Sequence, residues 1–280
     1  MVGRASVATY YDGGPSHQET SAQHLMSAPF SYGERVIIRD SKERRYLEVL
    51  KEGGEFHTHA GFIAHAAIVG MNEGAVLETG KGSRYHVLRP TLEDFVLEMP
   101  RGAQVIYPKD LATICMIGDI RPGVRVFETG LGSGALSMAM LRAGAHITGY
   151  EIREDFANRA VSNVKSFLGD EPLTRYDVSI RDAYLGIEGT GFDRIILDLP
   201  EPWNVVPHAI DALLPGGLLV AYTPSITQAV KVREAMKSGW IEERTLEVLH
   251  RTWHIEGQAV RPDHRMVAHT AFLTVARYLG

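Results

Sequence analysis

The apolar positions along the chain change rhythm twice. Over the first 28 residues, rich in Ser, Gly, His and Gln, no period is present, and a disordered tail is expected over 1–29. Met26, just ahead of the first patterned run, then stands as an alternative start. From Phe30 to about Leu97, short runs alternate with turn residues. Arg35–Arg39 and Arg45–Leu50 flank Asp40-Ser41-Lys42-Glu43, and Ala75–Glu78 and Ser83–Leu88 flank Gly80-Lys81-Gly82. Both patterns predict hairpins. Phe62–Val69 fits a helical turn or a strand equally well. The expectation over 30–98 is a small β-rich domain, a barrel or half-barrel.

Beyond it, Pro108 suits the first turn of a helix reaching about Ile117. After Pro122-Gly123 the rhythm becomes strand and helix in alternation. Strands are predicted at Arg125–Glu128, His146–Glu151, Tyr176–Ile180, Phe192–Asp198 and Gly217–Tyr222. Helices are predicted at Ala135–Arg142, Glu154–Leu168, Val205–Leu214 and Ile226–Lys237. Such alternation predicts an α/β domain over 99–280, with a parallel sheet covered on both faces. Two last runs, Glu243–Arg251 and Thr270–Arg277, are expected to pair antiparallel at the far side.

Composition narrows the class only a little. A chain of 280 residues with 45% hydrophobic content can bury a good core. No apolar run reaches the roughly 20 residues that span a bilayer, and no signal-peptide stretch opens the chain. With a single cysteine, Cys115, neither an internal disulfide nor a cysteine zinc cluster is possible, so a cytoplasmic setting is expected. Cys115 reads as a small buried side chain. The net charge of −5 does not advertise nucleic-acid binding, although a local basic face remains compatible with it.

Candidate chemistry centres on Val124-Arg125-Val126-Phe127-Glu128-Thr129-Gly130-Leu131-Gly132-Ser133-Gly134-Ala135-Leu136. A strand, a glycine-rich turn and a helix start bring backbone N–H groups to one point. The third glycine of the dinucleotide fingerprint would fall at Ala135, and Glu128 would repel a pyrophosphate. A cationic ligand suits Glu128 better. The stretch resembles motif I of the class I S-adenosylmethionine-dependent methyltransferases, although such a turn also serves purely structural ends. Acids follow four consecutive strands: Glu128, Glu151, Asp182 and Asp198. Glu151 is placed to accept hydrogen bonds from both ribose hydroxyls of an adenosine. By the resemblance, Asp182 would meet the adenine amino group; as a plain sequence feature it is equally a helix cap.

Asp198-Leu199-Pro200-Glu201-Pro202-Trp203 departs from the Asp/Asn-Pro-Pro-aromatic loop of many amino-group methyltransferases. It resembles instead the tRNA adenine-N1 methyltransferases acting at position 58 of the T-loop. Gln104-Val105-Ile106-Tyr107-Pro108-Lys109-Asp110, Tyr222-Thr223-Pro224-Ser225-Ile226-Thr227-Gln228, the segment from Arg261 to Thr270 and Gly54-Glu55-Phe56-His57-Thr58-His59 are similar to segments of the same family. The resemblance covers about Phe30 to Arg277 and implies a Rossmann-like methyltransferase sheet with a small N-terminal β-rich domain. It implies S-adenosylmethionine held by Gln104, Val105, Ile106, Tyr107, Glu128, Gly130, Leu131, Gly132, Ser133, Gly134, Ala135, Glu151, Ile152, Asp182, Ala183 and Asp198. Asp198 would position the target base, with Tyr107 and Tyr222 as its walls or as ordinary packing. The substrate would be the T-arm of tRNA, methylated at N1 of adenine 58 and conceivably at 57, and the assembly a homotetramer.

Two rivals stand beside this reading: a protein isoaspartyl-type methyltransferase and a non-catalytic RNA-binding subunit. Arg244, Arg251, Arg261, Arg265 and Arg277, with His250, His254, His264 and His269 among them, form a mild basic excess. That excess suits RNA or, as readily, a solvated edge or subunit interface. Arg101 and Lys109 are further candidates for phosphate contact. His57, His59 and His65 lack acidic or cysteine companions at ligand spacing, so no metal is expected.

Overall fold

The computed structural model describes residues 28–59, 61–79, 81–99, 102 and 104–280. The tail expected over 1–29 lies outside the described residues up to residue 27. Contacts divide the chain between Pro90 and Thr91 into two units.

In the first unit, β1 (Arg35–Asp40), β2 (Arg45–Val49), β5 (Val76–Glu78) and β6 (Arg84–Leu88) form an antiparallel sheet in the order β2-β1-β6-β5. The β1–β2 turn is pinned by Asp40, whose carboxylate accepts from the backbone N–H groups of Lys42 and Arg44, each at 2.9 Å. A separate ribbon pairs β3 (Glu55–Thr58) with β4 (Gly61–Ala64). The ambiguous run 62–69 therefore holds both alternatives, the end of β4 and a 3-10 turn at His65–Ala67. Phe30, Val36, Ile38, Leu50, Phe56, Tyr85 and Val87 form the core of this unit. The sheet is open, with β2 and β5 as its edges, rather than a closed barrel.

Helix α1 (Leu92–Glu98) opens the second unit, so the boundary falls earlier than the expected residue 98. A reciprocal cap starts it: Thr91 Oγ1 accepts from Asp94 N, and Asp94 Oδ2 accepts from Thr91 N. Its Phe95 is fully buried and stacks on Phe167 at 4.7 Å. Only two turns long, α1 gives too short a period to separate from the β pattern before it.

The remaining elements are α2 (Pro108–Ile117), β7 (Arg125–Thr129), α3 (Ala135–Arg142), β8 (His146–Glu151), α4 (Glu154–Leu168), β9 (Tyr176–Ile180) and β10 (Phe192–Leu197). They continue as α5 (Val206–Ala212), β11 (Leu213–Thr223), α6 (Ile226–Ala235), β12 (Trp240–Glu247), β13 (Trp253–Glu256), β14 (Ala259–Pro262) and β15 (Phe272–Tyr278). Seven strands form one sheet in the order β12-β15-β11-β10-β7-β8-β9. Strands β11 through β9 in that order run parallel; β15 alone runs antiparallel, between β11 and β12, so β12 shares the direction of the parallel set. The expected α/β, Rossmann-like sheet is therefore present.

Differences lie at the ends. Leu213 pairs with Phe192, so β11 begins where the expected fourth helix was to end. The expected strand 243–251 runs instead from Trp240 to Glu247. The hairpin β13–β14 was not foreseen, because its residues are mostly exposed and carry no buried alternating face. The core packs Phe127 edge-on against Tyr150 at 4.9 Å and against Phe192 at 5.6 Å, beneath the carboxyl ends of β7 and β8.

Candidate active site

Strand order reverses between β7 and β10, which lie side by side with Leu197 opposite Thr129. At such a switch point the loops leaving the two strands part and open a crevice. The Gly130 N–H donates to the Tyr150 carbonyl at 3.1 Å, and the Asp198 N–H donates to the Thr129 carbonyl at 3.0 Å. Gly130 has φ +84°, and a Cβ there would stand 1.8 Å from the Asp198 carbonyl oxygen. Only glycine lets the turn and the Asp198 loop lie this close. Gly134, with φ +80°, caps α3, and its Cβ would press on the backbone of Ala160 at 3.0 Å. Gly132 differs: at φ +52° its Cβ would meet nothing within 4 Å. Two glycines hold the turn together, and the third leaves open space before the backbone.

Acids flank this turn in sequence and at the ends of the neighbouring strands. Glu128 is 1% exposed and accepts from the Ser137 hydroxyl at 2.7 Å; the Tyr176 hydroxyl donates to Ser137 at 2.9 Å. Burial pushes the Glu128 carboxyl up to about 8; the Ser137 hydrogen bond opposes this and the charge of Asp198 adds to it. Asp198 is pushed up to about 7, by burial first and then by Glu151. Glu151 ends β8, and its two oxygens accept from the backbone N–H groups of Gly132 at 3.2 Å and Arg153 at 3.1 Å. Asp182 caps the 3-10 turn Ala183–Leu185 through Oδ1, which accepts from Tyr184 N at 2.9 Å. The cap reading holds, and Oδ2 has no hydrogen-bond partner among the described residues.

The other expected residues sort by side chain. Val105, Ile106, Leu131, Ser133, Ala135 and Ala183 are buried. Gln104 is exposed, and Ile152 is 64% exposed beside Glu151. Tyr107 is the N-cap of α2. The Tyr222 hydroxyl is pushed up by burial and then by the charges of Asp110, Asp198 and Tyr107; Leu197, the residue before Asp198, pairs with Ala221, the residue before Tyr222.

The loop after Asp198 is braced by Gln228, whose amide donates to the Pro200 carbonyl at 2.9 Å, and by Lys231, 4.4 Å above the Trp203 ring. Ser137 and Tyr176 were missed by sequence reading; the only signal was a serine on the apolar face of α3. Lys109, expected at phosphate, is instead buried and bonded to Asp110 at 2.9 Å and Thr270 at 2.6 Å. Arg101 lies outside the described residues. Cys115 is partly buried, its thiol pushed up to about 11 by burial and by Glu128, which makes it a poor nucleophile. His65 is buried, with Nδ1 accepting from Lys51 N at 3.0 Å, and no group of potential metal ligands occurs among the described residues.

The residues fit a cationic nucleoside cofactor: open backbone at Gly132, a strand-end carboxylate at Glu151 for a ribose, and buried acids whose ionisation a positive charge would favour. Fold and site together are those of a class I methyltransferase. Residues 84–261 match the family described as tRNA methyltransferase complex GCD14 subunit, and residues 29–77 match the TrmI-like N-terminal family. The tRNA (adenine(58)-N(1))-methyltransferase TrmI of Thermus thermophilus is 39% identical over 246 residues, 86% of this chain and 96% of that one. The tRNA (adenine(57)-N(1)/adenine(58)-N(1))-methyltransferase TrmI of Methanocaldococcus jannaschii is 34% identical, covering 86% and 94%. Among solved structures, a SAM-dependent O-methyltransferase from Thermotoga maritima superposes with a TM-score of 0.86 at 29% identity, covering 94% and 98%. The tRNA (m1A58) methyltransferase TrmI from Aquifex aeolicus follows at 0.80 and 28%, covering 90% and 99%. The chain belongs to the GCD14/TrmI family of tRNA methyltransferases.

Two outcomes are expected from this geometry. Gly130→Ala should lose roughly 2–4 kcal/mol of stability through clash and strain, whereas Gly132→Ala should lose only about 1 kcal/mol yet bind S-adenosylmethionine at least tenfold more weakly. Thermal melts paired with calorimetry check both, and equal stability losses would contradict the division of roles. Glu128 provides the second. Its folded value of about 8 lies above its ordinary 4.5, so the folded chain binds more protons than the unfolded one between those limits and loses stability as pH rises through them. The cofactor-free Glu128→Gln protein should therefore match wild type near pH 5 and exceed it by roughly 2–4 kcal/mol above pH 8. A melting deficit that does not vary with pH would contradict this.

Proposed function

We propose that this chain transfers a methyl group from S-adenosylmethionine to N1 of the adenine at position 58 in the T-loop of tRNA. The observation that carries the reading is the register of Glu128, Glu151 and Asp198 around the open Gly132 backbone, joined to the braced Asp-Leu-Pro-Glu-Pro-Trp loop. The cofactor supplies a sulfonium-borne methyl. Glu151 would take its ribose hydroxyls, the free oxygen of Asp182 would accept from its adenine amine, and Gln104 to Tyr107 would hold its methionine end. Glu128 would supply a negative field for its cationic portion.

N1 of adenine carries an in-plane lone pair, so no strong base is required to create the nucleophile. Asp198 in its ionised form accepts a hydrogen bond from the exocyclic amine and stabilises the positive charge that methylation leaves on the base. Tyr107 and Tyr222 wall the extracted base, whose unstacking costs a few kcal/mol. Orientation and electrostatics then carry the acceleration. An isoaspartyl substrate would bring a further carboxylate against Asp198, and a non-catalytic subunit would have no need of this acid register.

Assembly as a homotetramer in the cytoplasm belongs to the same proposal. It is supported by exposed apolar side chains on the β13–β14 hairpin, Trp253 at 55% and Ile255 at 73% exposure. No described helix is long and apolar enough to cross a membrane. The relative acting at positions 57 and 58 makes adenine 57 a second candidate target.

Tritiated-methyl transfer to transcripts with adenine 58, adenine 57 or both replaced by guanine tests the assignment. Labelling should fall with guanine at 58 and vanish with both positions replaced. Asp198→Asn should lower kcat on the order of 10²-fold and flatten the rise in kcat/KM as pH passes about 7, where Asp198 of the cofactor-free chain ionises. Undiminished labelling of the doubly replaced transcript would overturn the site assignment.

A further inference from the structure

Strand β15 runs antiparallel to β11, so its first residue, Phe272, lies opposite Thr223 at the end of β11. It also pairs with β12, where Phe272 lies opposite Glu247. The segment His269-Thr270-Ala271 entering β15 is thus delivered to the carboxyl end of β11, the end that bears Tyr222 and lies beside the strand leading to Asp198.

Its two polar side chains bond in opposite directions. Thr270 Oγ1 accepts from Lys109 Nζ at 2.6 Å and donates to Asp110 Oδ2 at 2.6 Å, while Lys109 also donates to Asp110 Oδ1. Lys109 and Asp110 are buried in the first turn of α2, directly after Tyr107. His269 turns the other way. Its Nε2 lies 2.7 Å from the Pro224 carbonyl, two residues past Tyr222, and its Nδ1 lies 2.6 Å from Glu247 Oε1. Both partners are acceptors, and a neutral imidazole has one N–H to donate. Making both bonds requires the imidazolium.

We infer that His269 and Thr270 are positioning residues, a clasp that ties the segment bearing Tyr107 to the segment bearing Tyr222 and so sets the spacing of the two walls around the target base. The inference rests on the function proposed above. His269 bonds Glu247 and the segment bearing Tyr222, outside the proposed cofactor pocket, so cofactor binding is an independent readout for its variants.

The clasp is sensitive to pH. The groups facing the His269 ring are Glu247 on β12, Lys109 with its buried partner Asp110 on α2, the Pro224 carbonyl, and the Phe272 ring with centroids 4.9 Å apart. The hydrogen bonds to Glu247 and Pro224 hold His269 above its ordinary value, against partial desolvation and the charge of Lys109. Both bonds are present below that raised value, and one is lost as pH rises through it.

The test uses the full chain, its unmodified tRNA transcript and S-adenosylmethionine, with initial rates taken from about pH 6 to 9. His269 ring titration by NMR and cofactor affinity by calorimetry accompany the rates. The expected wild-type kcat falls on the alkaline side in step with the His269 titration, and Glu247→Gln moves both to lower pH. His269→Ala removes that limb and lowers kcat on the order of tenfold, with cofactor affinity held within about twofold. Thr270→Val lowers kcat similarly and leaves the His269 titration in place. Superimposable pH profiles for wild type and Glu247→Gln would overturn the clasp, as would parallel losses of kcat and cofactor affinity in His269→Ala. A folded wild-type chain that binds cofactor but methylates no tRNA would overturn the proposed function instead.

Discussion

Three carboxyl groups held together at one edge of a sheet, with no cation among them from the described residues, set the character of this molecule. Glu128 ends up near 8 and Asp198 near 7, each lifted by burial and by the charge of another member of the group. The folded chain thus stores unfavourable electrostatics where the strand order reverses. The seven-stranded sheet sustains this, because the positions of Glu128 and Asp198 follow from the pairing of β7 with β10 and that of Glu151 from the pairing of β8 with β7. A structure that needed only to fold would have little use for it. A cationic nucleoside placed over Gly132 would relieve it.

Around that charge centre the backbone is arranged by contact rather than by flexibility. Gly130 lets the turn touch the Asp198 carbonyl, Gly134 lets α3 rest on α4, and neither leaves room for a side chain. The loop after Asp198 is fixed from outside by Gln228 on α6, itself held in a reciprocal cap with Ser225. From the other side the segment entering β15 reaches both α2 and the end of β11. Residues from widely separated parts of the sequence hold a small set of side chains in place, as charge-stabilised methyl transfer to a neutral nitrogen requires.

The sequence made the catalytic half of this picture readable because its signals are local. A β-branched run ending in Glu128 and a glycine turn specify strand, loop and helix within thirteen residues, and each later acid announces itself by following an apolar run. What stayed hidden depends on distant partners. Lys109 looked like a free cation until Thr270 and Asp110 were found around it. Ser137 looked like a helix-face serine until Glu128 and Tyr176 enclosed it. The β13–β14 hairpin has no buried face to impose alternation, and α1 is too short to impose a period. Asp182 shows that two readings need not compete: it caps a turn with one oxygen and keeps the other available.

The central claim is that the acid cluster is completed by a cation. Isothermal calorimetry of S-adenosylmethionine binding near pH 7, repeated in buffers of different ionisation enthalpy, measures it directly. Glu128 and Asp198 are partly protonated there, so binding should release protons, and affinity should rise with pH until it levels off above about 8. Binding with no proton exchange and with pH-independent affinity would contradict the account.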